Sequence, residues 1–556
     1  MKRRTLLARG ALSRLAVPLA TSLALIGVAQ GPAQAQTAKP VNAAKAADLT
    51  PVSGGVLNVA VSPEPTLLTS AFITTMNIGQ VSSKVLEGLV SFDLNLQPVP
   101  ALATSWQLSE DGLTLRFKLR ENVKWHDGKD FTSADVEYTL LNVWKKLHPF
   151  GRAAFANVEK VDTPDKSTVV IHLSSPAPYL LNYINSYGAQ ILPKHLYAGT
   201  DVQNNPANLA PVGTGPFVFK EWVKGSHVRL ERNPHYWQKG QPYLQGIVFK
   251  FIPDAAARAV ALEVGEIDVA LGSSIPLSNL ERFSDPAKWT INLDDGRYLS
   301  TIFLTQFNVR RPYLSYKRVR QAFAHAIDKN ALLKVVFWGY GKPATGPVPS
   351  SVVNYYSPDT RQYPYDLKKA EALLDEAGFR KGPDGKRLKV TLDYDGGGGT
   401  ASREAEFIRQ SLGRVGVDVV LRGGDTVSYL KRVFTDQDYD LMISSLHRLP
   451  DPTLGVQRLF WTRNIIKGAP WTNGSGYSNP ALDKIMEAAA DEANPTRRKA
   501  LITQWQQIVQ EDLPVLDLIE QTWVTVSTAR FHKTVAQGDG LFASYADAWL
   551  QPAAGK

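Results

Sequence analysis

The residues best suited to chemistry in this chain are its histidines, and their spacing points away from catalysis. The nine histidines stand without the His-Glu-x-x-His spacing of a zinc site, at positions 126, 148, 172, 195, 227, 235, 325, 447 and 532. There is no cysteine to serve as a nucleophile or a metal ligand. No Gly-x-Ser-x-Gly motif of a nucleophilic serine occurs. The sequence therefore predicts no catalytic residue, no metal ligand and no cofactor.

A run of four glycines, Gly396 to Gly399, is followed by Thr400. Its amides could cradle a phosphate if they faced the start of the next helix. The alternative is a flexible loop between a strand and a helix, which we favour because glycine runs are common in such loops. No Gly-x-x-x-x-Gly-Lys-Ser/Thr motif of a nucleotide-hydrolysing subunit is present.

Any site must be positioned by strands and helices, and the sequence signals for these elements are clearest between Ala101 and Thr139. Polar and apolar residues alternate from Thr114 to Arg120, which predicts a strand with one wet and one buried face. After a Trp-His-Asp-Gly turn at 125–128, Thr132 stands three residues before Asp135, and this spacing predicts a capped helix start.

This pattern resembles the extracytoplasmic solute-binding proteins of the peptide, nickel and opine family, which deliver ligands to ABC importers. The resemblance continues through later motifs in that family's order. These are GTGPF at 213–217, ERNPHYW at 231–237, ALEVGEIDVA at 261–270, VRQAFAHAID at 319–328 and YDLKKAEALLDEAGF at 365–379.

The resemblance implies an α/β chain with the two-lobed periplasmic binding protein fold of type II, an extra β-rich subdomain, and a ligand cleft between the lobes. A chain of 556 residues also exceeds what one core usually supports. Hinge crossings are expected near 305 and 521. The implied segments are a signal peptide at 1–35, a flexible leader at 36–53, lobe one at 54–89, the extra subdomain at 90–211, lobe one again at 212–305, lobe two at 306–520, and a return to lobe one at 521–556.

Within lobe two, periodicity predicts one amphipathic helix from Val319 to Trp338 and another ending at Gly378 with Asp366 as its cap. Strands are predicted at 388–392 and 417–421, flanking a helix from Arg403 to Leu412.

The N-terminus has the pattern of an export signal. Five basic residues precede an apolar run from about Leu15 to Ala29, and Ala33-Gln34-Ala35 fits a cleavage site. The run is too short and too broken for a membrane span of about 20 residues. Arg3-Arg4 fits a twin-arginine signal, and a general secretion signal with a basic start fits equally well. Because no cysteine can receive a lipid, we predict a freely soluble periplasmic protein.

The net charge of +10 includes those five basic residues, and the remaining lysines and arginines are scattered. A scattered, mild excess gives nucleic-acid binding little support. The expected partners are a small-molecule or peptide ligand and the ABC permease subunits of the inner membrane, and by the family's habit the protein is expected to be a monomer.

Residues 439–453 contain the most information about the ligand. In peptide-binding relatives the matching stretch presents extended backbone to the ligand, together with an aspartate that holds the peptide's amino group. Counting back from Asp451-Pro452 places Arg448 at that position, after Ser445, Leu446 and His447. A guanidinium would repel an ammonium and attract a carboxylate or phosphate. The alternative is that a shift of one residue turns Arg448 to solvent.

On lobe one, the resemblance places Thr74, Thr75 and Met76 at the cleft wall. In lobe two, Asp517 and Glu520 lie in an apolar strand where relatives have aromatic residues facing the cleft. Buried acids need a partner, so one of them binds a cationic group of the ligand or, in the safer interpretation, pairs with an arginine of the protein.

Three functions are compatible with these residues. The first is capture of a short peptide, an opine-like conjugate or a similar polar solute by lobe closure. The second is binding of a chelated metal or haem in the same fold, where the chelator would supply the metal ligands. A secreted hydrolase is disfavoured because the catalytic motifs are missing.

Overall fold

The structure is a computed structural model that describes residues 49–396, 399–535 and 537–552. The predicted signal peptide and most of the leader lie outside the described residues, as do Gly397 and Gly398 of the glycine run. The strands are β1 (Val56–Val61), β2 (Val90–Phe92), β3 (Pro98–Pro100), β4 (Ala103–Leu108), β5 (Thr114–Leu119), β6 (Val158–Asp165), β7 (Thr168–Leu173), β8 (Phe217–Val223), β9 (His227–Arg232), β10 (Gly246–Phe251), β11 (Val269–Ala270), β12 (Trp289–Asn292), β13 (Ser300–Phe307), β14 (Gly341–Pro343), β15 (Leu388–Asp395), β16 (Val417–Gly424), β17 (Leu441–Arg448), β18 (Val515–Gln521), β19 (Thr525–Thr528), β20 (Phe531–Lys533) and β21 (Ala548–Leu550).

The α-helices are α1 (Met76–Ser82), α2 (Ser133–Thr139), α3 (Gly151–Ala154), α4 (Lys194–Tyr197), α5 (Ala255–Glu263), α6 (Pro312–Ser315), α7 (Lys317–Ala326), α8 (Lys329–Val336), α9 (Leu367–Glu376), α10 (Ala401–Gly413), α11 (Thr426–Leu430), α12 (Pro452–Gly455), α13 (Pro480–Asp491) and α14 (Pro495–Asp512). No helix of the described part is long and apolar enough to span a membrane.

The local signals between Ala101 and Thr139 are confirmed. In β5, Leu115, Phe117 and Leu119 are buried while the residues between them are exposed or half-buried, and the strand pairs with β4 and β7. At α2, Thr132 and Asp135 form a capping box in which each side chain accepts from the other's backbone N–H.

Lobe one, as we use the term, is the part of the chain built on a seven-stranded sheet and a separate four-stranded sheet. The larger sheet has the order β12-β19-β11-β1-β10-β9-β8, with β1 parallel to β10 and β11. The four-stranded sheet has the order β4-β5-β7-β6. Both sheets contribute to one continuous apolar core, because Val59 of β1 and Phe117 of β5 belong to the same buried cluster.

Lobe two is built on a six-stranded sheet in the order β14-β18-β13-β17-β15-β16. β13 pairs antiparallel with both β17 and β18. The predicted boundary at 305 divides β13, yet the whole strand lies in this sheet, so the chain enters lobe two between Asn292 and Ser300. It returns to the first sheet between Gln521 and Thr525.

The two faces of this sheet bury different clusters. Leu304 and Leu446 pack with Trp505 of α14 on one face, whereas Phe307 and Ile443 pack with Phe323 of α7 on the other. Because side chains alternate along a strand, neighbouring residues of β17 must point into different surroundings.

The predicted elements of lobe two are present with one correction. β15 and β16 are parallel and flank α10, as the predicted strand, helix and strand require. Asp366 caps α9 through a 2.9 Å bond from the Lys369 N–H. The single helix predicted from Val319 to Trp338 is wrong, because α7 ends at Ala326 and the Asp328 side chain caps a new helix, α8.

Candidate ligand-binding cleft

A cleft of about 820 Å³ separates the lobes. Lobe one lines it with the start of α5 and the segment after β11, and lobe two lines it with residues from β13, β17, the end of α8 and the start of α10. The crossing segment Gln521 to Trp523 closes the gap between them. The volume is within the range of sites that bury a small ligand.

Aromatic rings form much of the lobe-two wall. Phe303 and Phe337 meet edge to face with ring centres 4.7 Å apart, and Trp338 lies under the Arg403 guanidinium at 4.7 Å. Trp471 and Trp523 also line the cleft. Such a wall favours flat or apolar ligand parts, since aromatic faces bury large areas with little loss of side-chain entropy.

The lobe-one wall presents small polar residues on a rigid loop. Ser273, Ser274 and Ser278 line the cleft. The loop is held by Arg258, which donates to the carbonyl oxygens of Ser274, Ile252 and Pro253 at 2.6–2.8 Å. Because Arg258 is committed to these carbonyls, the serines are the polar groups that this wall offers to a ligand.

The start of α10 contributes Gly399, Thr400 and Arg403 to the cleft, so the glycine loop does approach it. Glu404 of the same turn is fully buried, and neither carboxyl oxygen has a hydrogen-bond partner in the described part of the chain. Burial raises the pKa of Glu404 well above its usual range. Burial therefore favours the neutral form of this acid.

The predicted residues of β17 divide between the two faces of the strand. Ser445 is exposed and lines the cleft, whereas Leu446 is buried in the cluster beneath α14. His447 is partly exposed, its Nδ1 lies 2.9 Å from the Thr301 hydroxyl, and its ring centre lies 6.3 Å from that of Trp523. Burial, with Arg458 and Arg448 nearby, lowers the pKa of His447 to about 4, so the ring is neutral.

Arg448 lies on the same face as Leu446 and is completely buried. Its Nη2 lies 3.3 Å from Asp517 Oδ1, and its Nε donates to the Pro347 carbonyl at 3.2 Å. The expectation that a shifted Arg448 would face solvent is wrong. The prediction that Arg448 and Asp517 touch ligand stays a prediction, and neither residue lines the 820 Å³ cleft.

The pair is imperfect, since Arg448 Nη1 and Asp517 Oδ2 have no hydrogen-bond partner among the residues described. Burial lowers the pKa of Arg448 and raises that of Asp517, while each charge offsets part of the effect on the other. Glu520 is satisfied separately, by the backbone N–H and hydroxyl of Ser350 at 3.1 and 2.6 Å.

Thr74, Thr75 and Met76 lie just before and at the start of α1 and are not among the residues that line this cleft. The Thr74 carbonyl accepts a 2.7 Å hydrogen bond from the Tyr187 hydroxyl. Thr75 is exposed and its side chain makes no capping bond. Contact of these three residues with ligand remains a prediction.

The sequence did not single out Trp338, Trp471, Trp523 or Arg403 as cleft residues. Nothing in their local sequence separates them from core aromatic residues and surface arginines. Their segments are distant in sequence, and the folded chain brings them to one cleft.

Direct contacts also join the two lobes outside the lining of the cleft. Asp451 accepts from Arg498 through both carboxyl oxygens, at 2.7 and 2.8 Å, and from Asn182 of lobe one at 3.2 Å. The guanidinium of Arg458 lies over the ring of Phe150 of lobe one at 5.2 Å. The structure therefore has its lobes in contact at this edge. No group of histidine and acidic residues able to hold a metal occurs among the described residues.

Comparisons with known proteins agree with this architecture. The family model for bacterial extracellular solute-binding proteins, family 5, matches residues 97–474. A putative ABC transporter peptide-binding protein of Brucella ovis is 31% identical over 427 residues, or 74% of this chain and 77% of the relative. The glutathione-binding protein GsiB of Pectobacterium atrosepticum is 29% identical over 482 residues, or 84% and 89%.

A crystal structure of the ABC transporter substrate-binding protein CtaP from Listeria monocytogenes superposes with a TM-score of 0.78 at 25% identity, over 90% of this chain and 99% of that one. The two-lobed fold predicted from the sequence is thereby confirmed. Since the family model matches more than half of the residues, the chain belongs to the bacterial extracellular solute-binding proteins of family 5.

Proposed function

We propose that the chain is the periplasmic substrate-binding component of an ABC importer and that it captures a short peptide or an opine-like conjugate. The observation that best supports this proposal is the cleft itself, with aromatic rings on lobe two facing serine hydroxyls on lobe one. Rings accept side chains of many shapes, while hydroxyls and backbone groups bind the polar chain that all peptides share. The relatives named for peptide and glutathione binding fit this ligand class.

Ligand binding would close the lobes by moving the two crossing segments, near 292–300 and 521–525. The ligand contacts both lobes only in the closed form, so it shifts the population toward that form. The permease in the inner membrane would then recognise the closed shape. No chemical step is part of this cycle, and we propose that the binding protein works as a monomer.

Export would remove the first 35 residues, so that the mature protein begins at Gln36. Mass spectrometry of the intact periplasmic protein measures this end directly. A product that retains the leader or carries a lipid would contradict the proposed route.

Native mass spectrometry of protein purified from the periplasm tests the proposed ligand class. We expect a co-purified molecule with the mass of a peptide or an amino-acid conjugate, released unchanged on denaturation. A metal chelate or haem would be recognised by its mass and visible absorption and would replace the proposal, and release of a cleaved product would contradict a pure binding role.

A further inference from the structure

Arg458 has an unusual position for a charged residue. It lies in a turn of 3-10 helix, Gln457–Leu459, that follows α12, and its guanidinium reaches Phe150 of lobe one. The side chain is partly exposed even though the residues around it on the turn are buried. The start of the segment is fixed, because Asp451 is bound by Arg498 through two hydrogen bonds. Arg458 is therefore presented from a rigid base at the edge where the lobes meet.

Among the residues that the structure describes, Arg458 has no partner of opposite charge. Its side chain forms neither an ion pair nor a hydrogen bond with any described residue, and its Nε is buried without an acceptor. The neighbouring arginines differ in this respect, since Arg448 faces Asp517 and Arg498 holds Asp451. A desolvated charge without a counterion is costly, so an arginine in this position is a candidate for binding an anionic group of a ligand.

The surroundings add positive charge rather than negative. Burial and the nearby charge of Arg448 lower the pKa of Arg458 to about 10, and no acid opposes this shift. The Asp517 and Asp451 carboxylates are already bound by other arginines, and His447 is neutral. The region around the Arg458 guanidinium therefore has an excess of one positive charge at neutral pH.

A further unpartnered polar group lies next to Arg458 in the chain. The Gln457 Nε2 is buried without a hydrogen-bond partner among the described residues. Since most buried polar groups in proteins have a partner, an unpartnered amide beside an unpartnered guanidinium indicates a site for a polar ligand. The His447 ring, whose pKa is lowered by Arg458, has its centre 6.3 Å from that of Trp523 in the cleft wall, which connects Arg458 to the cleft.

We infer that Arg458 binds a carboxylate of the ligand where the lobes touch, outside the residues that line the 820 Å³ cleft, so that the protein selects anionic peptides or conjugates. A planar guanidinium can donate two parallel hydrogen bonds to a carboxylate, and Phe150 behind it keeps the plane oriented. This inference rests on the proposed function. It goes further by naming the residue that recognises charge and the ligand group it recognises.

The test compares two pools of random tripeptides, one with free C-terminal carboxylates and one with C-terminal amides. Each pool is equilibrated by dialysis against the mature wild-type protein, Arg458→Gln, Arg458→Lys and the control Arg497→Gln, and bound peptides are counted by mass spectrometry. Arg497 is a suitable control because it pairs with Glu492 on the exposed start of α14.

We expect wild type and Arg497→Gln to retain the acid pool about ten-fold or more over the amide pool. Arg458→Gln should lose this preference, and Arg458→Lys should keep part of it. The change to Gln removes an unpaired charge. Without ligand, the Arg458→Gln variant should therefore have a melting temperature equal to or above that of wild type. If Arg458 were needed only for folding, the melting temperature of the variant would be lower.

Equal retention of both pools by wild type would overturn the inference and leave the proposed peptide function standing. An unchanged acid preference in Arg458→Gln would overturn it as well. Retention of neither pool by wild type would overturn the inference and the peptide part of the proposed function, leaving only an opine-like conjugate as its ligand. If Arg458→Gln does not fold, Arg458→Lys decides the question, because a full wild-type preference there would exclude a role for the planar guanidinium.

Discussion

Replacing Arg448 by Ala distinguishes a residue that holds lobe two together from one that holds the ligand. The side chains of Arg448 and Asp517 are 0% and 1% exposed. Removing the guanidinium leaves Asp517 buried, with the Lys329 ammonium as its remaining cationic neighbour. Breaking a buried ion pair from one side typically costs about 3–5 kcal/mol. We expect a loss near 3 kcal/mol, because one nitrogen and one oxygen of this pair already lack partners.

The assay is urea unfolding followed by tryptophan fluorescence, with the double variant Arg448→Met, Asp517→Leu as the matched control. The double variant removes both charges and fills similar space, so it should unfold within about 1 kcal/mol of wild type. Ligand affinity, measured by calorimetry on the folded variants, should change little in either protein.

The opposite pattern would refute this reasoning. If Arg448 reached the ligand, Arg448→Ala would keep wild-type stability and lose roughly ten-fold to a hundred-fold in affinity for an anionic ligand. That result would place the guanidinium in the cleft, as the resemblance to peptide-binding relatives first suggested.

Three further perturbations test other parts of the structure. Burial raises the pKa of Glu87 to about 7 from 4.5, so the folded state keeps its proton longer, and stability should fall by about 3 kcal/mol as pH rises from 4.5 to 7. In urea titrations Glu87→Gln should lack this fall, and a constant difference from wild type across that range would contradict the assignment. Asn182→Ala should leave the melting temperature of lobe two unchanged but weaken ligand binding a few-fold, because it removes a hydrogen bond from lobe one to Asp451 that holds the lobes together; an unchanged affinity would contradict a role of that bond in closure. Trp338→Ala should lower affinity by about ten-fold or more through loss of the aromatic wall, as measured by calorimetry, and a change below two-fold would place the ligand elsewhere.

The sequence predicts those elements of the fold whose signals are local. β5 follows from alternation, and α2 and α9 follow from the caps at Thr132 and Asp366, because these patterns need only a few neighbouring residues. The sequence does not predict the break between α7 and α8, because there the local pattern continues although the helix does not. The apolar periodicity runs through it, and the cap at Asp328 ends one helix and starts another inside a single stripe.

The site was only partly predictable, since it depends on which face of a strand each residue occupies. The resemblance led to β17, but its pairing with β13 sets Ser445 toward the cleft and Arg448 toward α14. Trp338 and Trp471 could not be assembled from sequence, because separate segments bring them to the same cleft. Arg458 lacks a motif altogether, and its missing partner is visible only in three dimensions.

Ligand-driven closure of the lobes is the central claim, and single-molecule energy transfer across the cleft measures it directly. The chain has no cysteine, so a pair of introduced cysteines can be labelled without background. Val264 of lobe one and Val427 of lobe two are suitable positions, because they are 72% and 77% exposed. With the molecule identified by native mass spectrometry, transfer efficiency should rise at saturating ligand and the ligand should be recovered unchanged. An efficiency that stays the same at saturation, or a chemically altered ligand, would contradict the account.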